Sequence, residues 1–282
     1  MLGNAVGEHL IESGFTLTVY NRTKENTKKL KNLGSLVADS PKEVAQNSEI
    51  LFTIVKDANA VKQVSFETGG IIYGKHDNLI VCDMSTISPF DSKLISKKFF
   101  ENSIEMLDTP VMGGPNVAIT GELVLMVGGK KKNFEKCNDI FNVIANKIFY
   151  LGESGTAHAI KLAMNLQISM LALALSEGII LTRGANIDPK IFLDVLNSTY
   201  FKTGMSENKA YKMIQNNFEP TFTLDNLRKD INIIVETSNS YGLELPMAKM
   251  AKEIYENAVS KGFGNLDYTG ILAFIKKLNE RN

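Results

Sequence analysis

Gly152-Glu153-Ser154-Gly155-Thr156-Ala157-His158-Ala159-Ile160-Lys161-Leu162-Ala163-Met164-Asn165 divides the chain into two kinds of pattern. Its two glycines read as a turn. Beyond them Ala157, Ile160, Leu162, Ala163, Leu166, Ile168, Met170 and Leu171 set up a long apolar helix. Upstream, short β-rich runs at residues 16–20, 50–55, 79–83, 104–108, 123–127 and 148–151 alternate with amphipathic segments at 24–32, 41–46, 58–65, 89–100 and 132–146. Such alternation is the pattern of βαβ units and a mostly parallel sheet. Downstream the strand-like runs stop, and loop punctuation near 184–188, 198–206, 216–222 and 262–264 separates helices to the end. A length of 282 residues fits two domains. The expected fold is an α/β domain over residues 1–152 followed by an all-α domain over 153–282.

Lys161 and Asn165 are four residues apart and stack on one face of the helix. A cation and an amide on an apolar helix must reach solvent, find partners or line a cavity. The plain reading is a lysine that reaches solvent beside an amide that caps a neighbour. The other is a proton donor beside a substrate-orienting group, hence an active site. A position just past a domain junction favours the second, because ligand pockets gather at such junctions.

Composition narrows the function classes. Hydrophobic content of 44% and charged content of 22% describe an ordinary globular chain, and zero net charge gives no field towards nucleic acid or an anionic membrane. Cys82 and Cys137 lack metal-ligand spacing and are expected as free thiols in a reducing compartment. His9, His76 and His158 are scattered, so no metal site is expected. The chain shows no signal-peptide pattern and no apolar stretch of ~18 residues free of polar breaks, so the expected location is cytoplasmic. Lys130, Lys131 and Lys132 read as the solvated start of a helix.

Residues 2–23 carry part of a nucleotide-binding pattern. Residues 4–13 can form a helix that Gly14 ends, with a strand at 16–20. In a dinucleotide-binding βαβ unit a first strand leads into G-x-G-x-x-G and then such a helix. Gly3 fits the last of those glycines, which places the first strand and the first two glycines upstream of Met1. After the strand at 16–20 come Asn21, Arg22 and Thr23, where an acidic residue would select the ribose hydroxyls of NAD. A guanidinium and a hydroxyl suit the 2′-phosphate of NADP, since the fork of Arg N–H donors matches phosphate oxygens. A solvated turn is the plain alternative. Asp83-Met84-Ser85-Thr86-Ile87-Ser88-Pro89 and Asp108-Thr109-Pro110-Val111-Met112-Gly113-Gly114-Pro115 also fall at predicted strand ends, where open α/β sheets place ligands. Ser88-Pro89 reads as a helix start, and paired glycines let backbone N–H groups approach a carboxylate.

Together these segments resemble the β-hydroxyacid dehydrogenase family, which includes 3-hydroxyisobutyrate dehydrogenases and glyoxylate/succinic semialdehyde reductases. The family's D-x-S-T-x-x-P matches residues 83–89, and its D-x-P-V-S-G-G matches 108–114 except at one position. Its G-x-x-G-x-x-x-x-x-K-x-x-x-N matches 152–165 throughout, and a later K-D pair matches Lys229 and Asp230 after Phe222 and Leu227. The resemblance runs from Gly3 to about Lys277. It implies a Rossmann-type domain, lacking its first strand, followed by an all-α substrate and dimerisation domain like that of 6-phosphogluconate dehydrogenases. It also implies Lys161 as the catalytic lysine, with Asn165, residue 112 and the backbone of Gly113 and Gly114 around the substrate carboxylate. Thr86 would lie near the nicotinamide, Val55 on the adenosine side, and Phe222 and Lys229 over the cofactor. Gly3, Asn21, Arg22 and Thr23 complete the cofactor set, with NADP expected ahead of NAD. The implied partners are a small carboxylate-bearing hydroxy acid or its carbonyl counterpart, and further copies of the chain in a homodimer or homotetramer.

Two departures bear on function. Met112 stands where the family usually has Ser, which points to a more apolar or differently shaped substrate. The partial fingerprint supports a competing reading, a non-catalytic member that keeps cofactor binding or assembly. Decarboxylating 6-phosphogluconate dehydrogenases are set aside because they place His-Asn where this chain has Met164-Asn165. In the enzyme reading Lys161 supplies the proton as a hydride reaches the carbonyl carbon, and burial draws its pKa towards the working pH.

Overall fold

The computed structural model describes residues 2–280. They form two compact units, the first ending at Lys161 and the second starting at Leu162. Their contact boundary falls within the helix that follows the glycine turn. The physical reason is local: the start of that helix and Lys161 both hydrogen-bond to strand residues of the first unit.

The first unit contains β1 (Thr18–Val19), β2 (Leu36–Val37), β3 (Ile50–Thr53), β4 (Ile80–Asp83), β5 (Glu105–Asp108), β6 (Val111–Met112), β7 (Leu123–Val127) and β8 (Ala145–Tyr150). Its helices are α1 (Leu2–Glu12), α2 (Lys28–Asn32), α3 (Pro41–Gln46), α4 (Ala58–Phe66), α5 (Pro89–Glu101), α6 (Pro115–Ala118), α7 (Lys131–Lys136) and α8 (Asn138–Ile144). Strands β3, β4 and β5 pair in parallel, as do β1 with β2 and β7 with β8. Among the described residues β6 is the strand that runs antiparallel, against β7, and an antiparallel bridge from Asp108 to Gly128 joins β5 to the end of β7.

β4 shows why its sequence is an unbroken buried run. Ile80 and Cys82 enter one core with α1, α6 and α8, whereas Leu79 and Val81 enter another with α3, α4 and α5. A strand covered on both faces needs apolar side chains at both parities. α1 stops at Glu12, two residues before Gly14 in the left-handed region (φ 89°), and Ser88 caps α5 as expected. The segment expected as one helix over 132–146 is instead α7 and α8 broken at Cys137, with β8 taking over at Ala145. Both cysteines are free and buried.

The second unit is helical: most of α9 (Thr156–Gly184), then α10 (Pro189–Asn197), α11 (Gly204–Asn208), α12 (Ala210–Ile214), α13 (Leu224–Ser240), α14 (Pro246–Ser260) and α15 (Ile271–Asn279). Ala172, Leu175 and Ile179 meet Leu224, Leu227 and Ile231 of α13 and Ala251, Tyr255 and Ala258 of α14 in one core. Each trio has the i, i+3/i+4 spacing of a single helix face. α9 has the length and the mean hydropathy (1.5) of a membrane span, contrary to the expectation from sequence. Its polar breaks are too few to lower that average, but its buried Asn165, Ser169 and Ser176 and its core contacts are those of a core helix.

Asp267 knots the loops of this unit. It accepts from Lys209 (3.0 Å), from the Thr221 amide (3.1 Å) and hydroxyl (2.9 Å), and from the Thr269 amide (3.2 Å) and hydroxyl (2.8 Å). Burial pushes its carboxyl upward, but the Lys209 ammonium and these hydrogen bonds outweigh that and hold it below 3.8. A depressed carboxyl contributes stability that is present above its unfolded pKa and lost as pH falls through its folded one. Lys209→Met is expected to cost roughly 1–3 kcal/mol near neutral pH. Urea unfolding of both proteins should show that gap closing as pH drops below 3.8; a gap unchanged in acid would refute it.

Candidate active site

The C-terminal ends of β3, β4 and β5 are tied by side chains. Asp83 accepts from the Thr53 hydroxyl (2.7 Å) and the Ser85 amide (3.2 Å), and Ser85 Oγ accepts from the Val55 amide (3.1 Å). Thr86 follows, half-buried. Gly3 lies in the first turn of α1, where an added Cβ would stand 3.7 Å from Ile54 in ordinary contact. The close approach is at Gly7 instead, where a Cβ would meet Leu30 at 2.8 Å and Leu17 at 3.1 Å. Gly3, Val55 and Thr86 thus gather at one edge of the unit, beside strand ends suited to a dinucleotide. Asn21, Arg22 and Thr23 form an exposed turn after β1. Asn21 Oδ1 shapes it by accepting from the Thr23 amide (2.9 Å) and Asn26 (3.2 Å). The exposed guanidinium of Arg22 is a donor set that fits a phosphate.

Lys161 is half-buried and donates from Nζ to the Val111 carbonyl (2.8 Å) and to Met112 Sδ (3.3 Å). Val111 and Met112 are held by β7 at Leu125 and Val124, so Met112 is a strand residue. Gly113 then turns the chain at φ 124°, where a Cβ would fall 2.7 Å from Leu123. Only glycine fits there. Gly114 begins α6, its carbonyl accepting from the Val117 and Ala118 amides (3.0 Å each).

Asp108 closes β5 at the head of α9. It accepts from the Gly155 amide, Ser92 Oγ and Ser154 Oγ (3.0 Å). His158, fully buried, places Nε2 3.8 Å from Asp83 and 3.9 Å from Asp108. Burial pushes the Asp83 carboxyl above its ordinary value, while the His158 imidazole and the Thr53 and Ser85 hydrogen bonds pull it back. The sequence reading gave His158 no role; its one signal is a position three residues before Lys161, one helical turn away.

In the second unit Asn165 is buried and donates from Nδ2 to Asp230 Oδ2 (2.7 Å). Lys229 Nζ meets the other Asp230 oxygen at 2.7 Å. Asn165 Oδ1 is buried with no hydrogen-bond partner among the described residues. One amide N–H is committed to Asp230, so the acceptor is the atom left to meet a ligand, and it suits a hydroxyl better than a carboxylate. Asp230, quoted in the sequence motif but given no role there, is the residue that joins Asn165 to Lys229. Phe222 precedes α13 and packs its ring edge-on to Tyr268 at 6.1 Å. Asp230→Ala removes the carboxylate that holds a buried amide and an ammonium, and should cost roughly 3–5 kcal/mol. A thermal melt within 2 °C of wild type, about what 1 kcal/mol shifts, would contradict that.

Comparison with known proteins places these features in context. The family model described as the NAD binding domain of 6-phosphogluconate dehydrogenase matches residues 1–152. The one described as NAD-binding of NADP-dependent 3-hydroxyisobutyrate dehydrogenase matches residues 155–275. The uncharacterized oxidoreductase YfjR of Bacillus subtilis is 30% identical over 277 residues, 98% of this chain and 96% of its own. Glyoxylate/succinic semialdehyde reductase 2, chloroplastic, of Arabidopsis thaliana is 28% identical over 281 residues, 100% of this chain and 78% of its own. A 3-hydroxyisobutyrate dehydrogenase from Salmonella typhimurium shares the fold with a TM-score of 0.88 at 23% identity, covering 97% of this chain and 96% of that one.

Proposed function

The chain belongs to the β-hydroxyacid dehydrogenase family of NAD(P)-dependent oxidoreductases, and from that premise we infer that it is an NADP-dependent enzyme with Lys161 as its acid–base residue. The observation that carries this is the anchoring of the Lys161 ammonium on Val111 and Met112, beside the glycine turn at 113–114. The bound nicotinamide supplies the hydride. The chain's part is to orient the substrate and hold the proton.

A thioether is a weak acceptor, so a substrate oxygen displaces Met112 from Lys161 at little cost while the Val111 carbonyl keeps the ammonium in place. As negative charge builds on that oxygen during reduction, Nζ stabilises it and delivers the proton; in oxidation the same amine takes the proton back. Backbone N–H groups after Met112 suit a substrate carboxylate. Met112 itself adds apolar surface where a Ser hydroxyl would sit, which supports hydroxy acids or semialdehydes with a larger apolar substituent.

Arg22, exposed with no carboxylate in its own turn, supports NADP over NAD. Exposed Leu181, Ile191, Val195, Tyr200 and Phe201 on and around α9 and α10 support a homodimer or homotetramer, because a second copy would cover them.

Lys161→Met should lower kcat by ~10²–10⁴-fold while NADPH binding, followed by fluorescence, stays near wild type. Turnover within tenfold of wild type would overturn the role. In a panel of short semialdehydes, 2-oxo acids and bulkier aldehydes, Met112→Ser should move the preference towards the smallest substrates. Arg22→Ala should weaken NADPH about tenfold and leave NADH alone, the loss of one charge-assisted contact of about 1.4 kcal/mol.

A further inference from the structure

Asp83 and Asp108 are register partners at the ends of β4 and β5, so their carboxylates emerge one strand spacing apart, and both are fully buried. Two carboxylates so placed repel unless one is protonated or a hydrogen-bond donor lies between them. The Lys161 chemistry uses neither. Within 4.0 Å of both stands one imidazole, that of His158. Among the described residues Asp83 and Asp108 are also the charged groups that face it. His158 Nδ1 and Nε2, and Asp83 Oδ2, have no hydrogen-bond partner among those residues. Buried polar atoms seldom stay unsatisfied, and 3.8 Å is about 1 Å longer than a charge-assisted hydrogen bond.

We propose that His158 is a positioning residue whose imidazole bridges Asp83 and Asp108 and so fixes where the first turns of α9 hold Lys161. The bridge acts on both halves of the first unit's site. Asp83 also holds Ser85, which holds Val55, so one anchor sets the cofactor-side loops and the lysine together. Lys161 lies three residues further along the same helix, so a shift of the His158 backbone is passed on almost undiminished. A misplacement of about 1 Å can cost roughly 100-fold in rate.

The proposal rests on the reading of Lys161 as the acid–base residue, and its test separates the two. In the full-length protein, His158→Leu should cut kcat by about ten- to hundredfold with KM and NADPH binding little changed. His158→Gln, which keeps an N–H near Nε2, should recover most of the loss. A leucine variant with wild-type kcat, or a glutamine variant no better than leucine, overturns the proposal. Should the leucine variant fail to fold, ¹⁵N-histidine spectra of the wild-type chain decide. A downfield Nε2–H protected from exchange, and lost in Asp83→Asn, is the expected signature; its absence from the wild type overturns the bridge. If wild type shows no turnover, the functional reading has failed, and the spectra still test the bridge.

Discussion

Asp108 accepts hydrogen bonds from Gly155, Ser154 and Ser92 at the head of a helix of 29 residues, and the position of Lys161 in the first unit depends on that contact. The first amides of a helix have no partner within it, and the helix end carries partial positive charge. A buried carboxylate satisfies both conditions and fixes α9 to the end of β5. Two glycines make room. Gly155 adopts φ 90°, where a Cβ would press on the Pro89 carbonyl at 2.9 Å, and a Cβ on Gly128 would stand 2.8 Å from Asp108 Oδ2. Lys161 is set by this anchor at one end and by the Val111 carbonyl at its own tip.

The tip of Lys161 is oriented by the Val111 carbonyl and the Met112 thioether. Within the first unit Asp83 and Asp108 are engaged by hydroxyl and amide donors beneath the start of the helix. Within the second unit Asp230 holds Asn165 and Lys229. In each unit a buried carboxylate gathers donors from distant parts of the chain, since a buried charge left without them would be costly.

The α/β-then-α order was legible because long elements write periodic signals: β4 is apolar at both parities, and α13 and α14 repeat buried residues every three or four positions. Elements of two residues write little: β1 showed only as part of the longer run at 16–20, and β2 and β6 did not show, although β7 holds Met112 in register. The helix at 132–146 was read as one because Cys137 is apolar and in phase, and nothing in its side chain signals the break there. Lys161, Asn165 and the glycine turn were legible as a motif. The partners of buried polar atoms were not: Asp108 and Gly155 lie 47 residues apart, Asn165 and Asp230 65 apart. Periodicity carries no information across such distances, so Asp230 and His158 needed coordinates.

α9 shows the same limit in reverse. Averaged over a window it is apolar enough for a bilayer, yet several of its hydroxyls have an acceptor within the helix. Ser169 donates to the Leu166 carbonyl, Ser176 to Ala172 and Thr182 to Gly178, which satisfies the hydroxyls inside the helix and leaves hydropathy high. Asn165 reaches outside the helix to Asp230, and Lys161 to Val111. Burying an amide or an ammonium requires a specific partner. Lys161 and Asn165, like Arg183 on the Ile214 carbonyl, are thus polar side chains of α9 whose partners come from outside the helix, and the first two are the positions where function is expected.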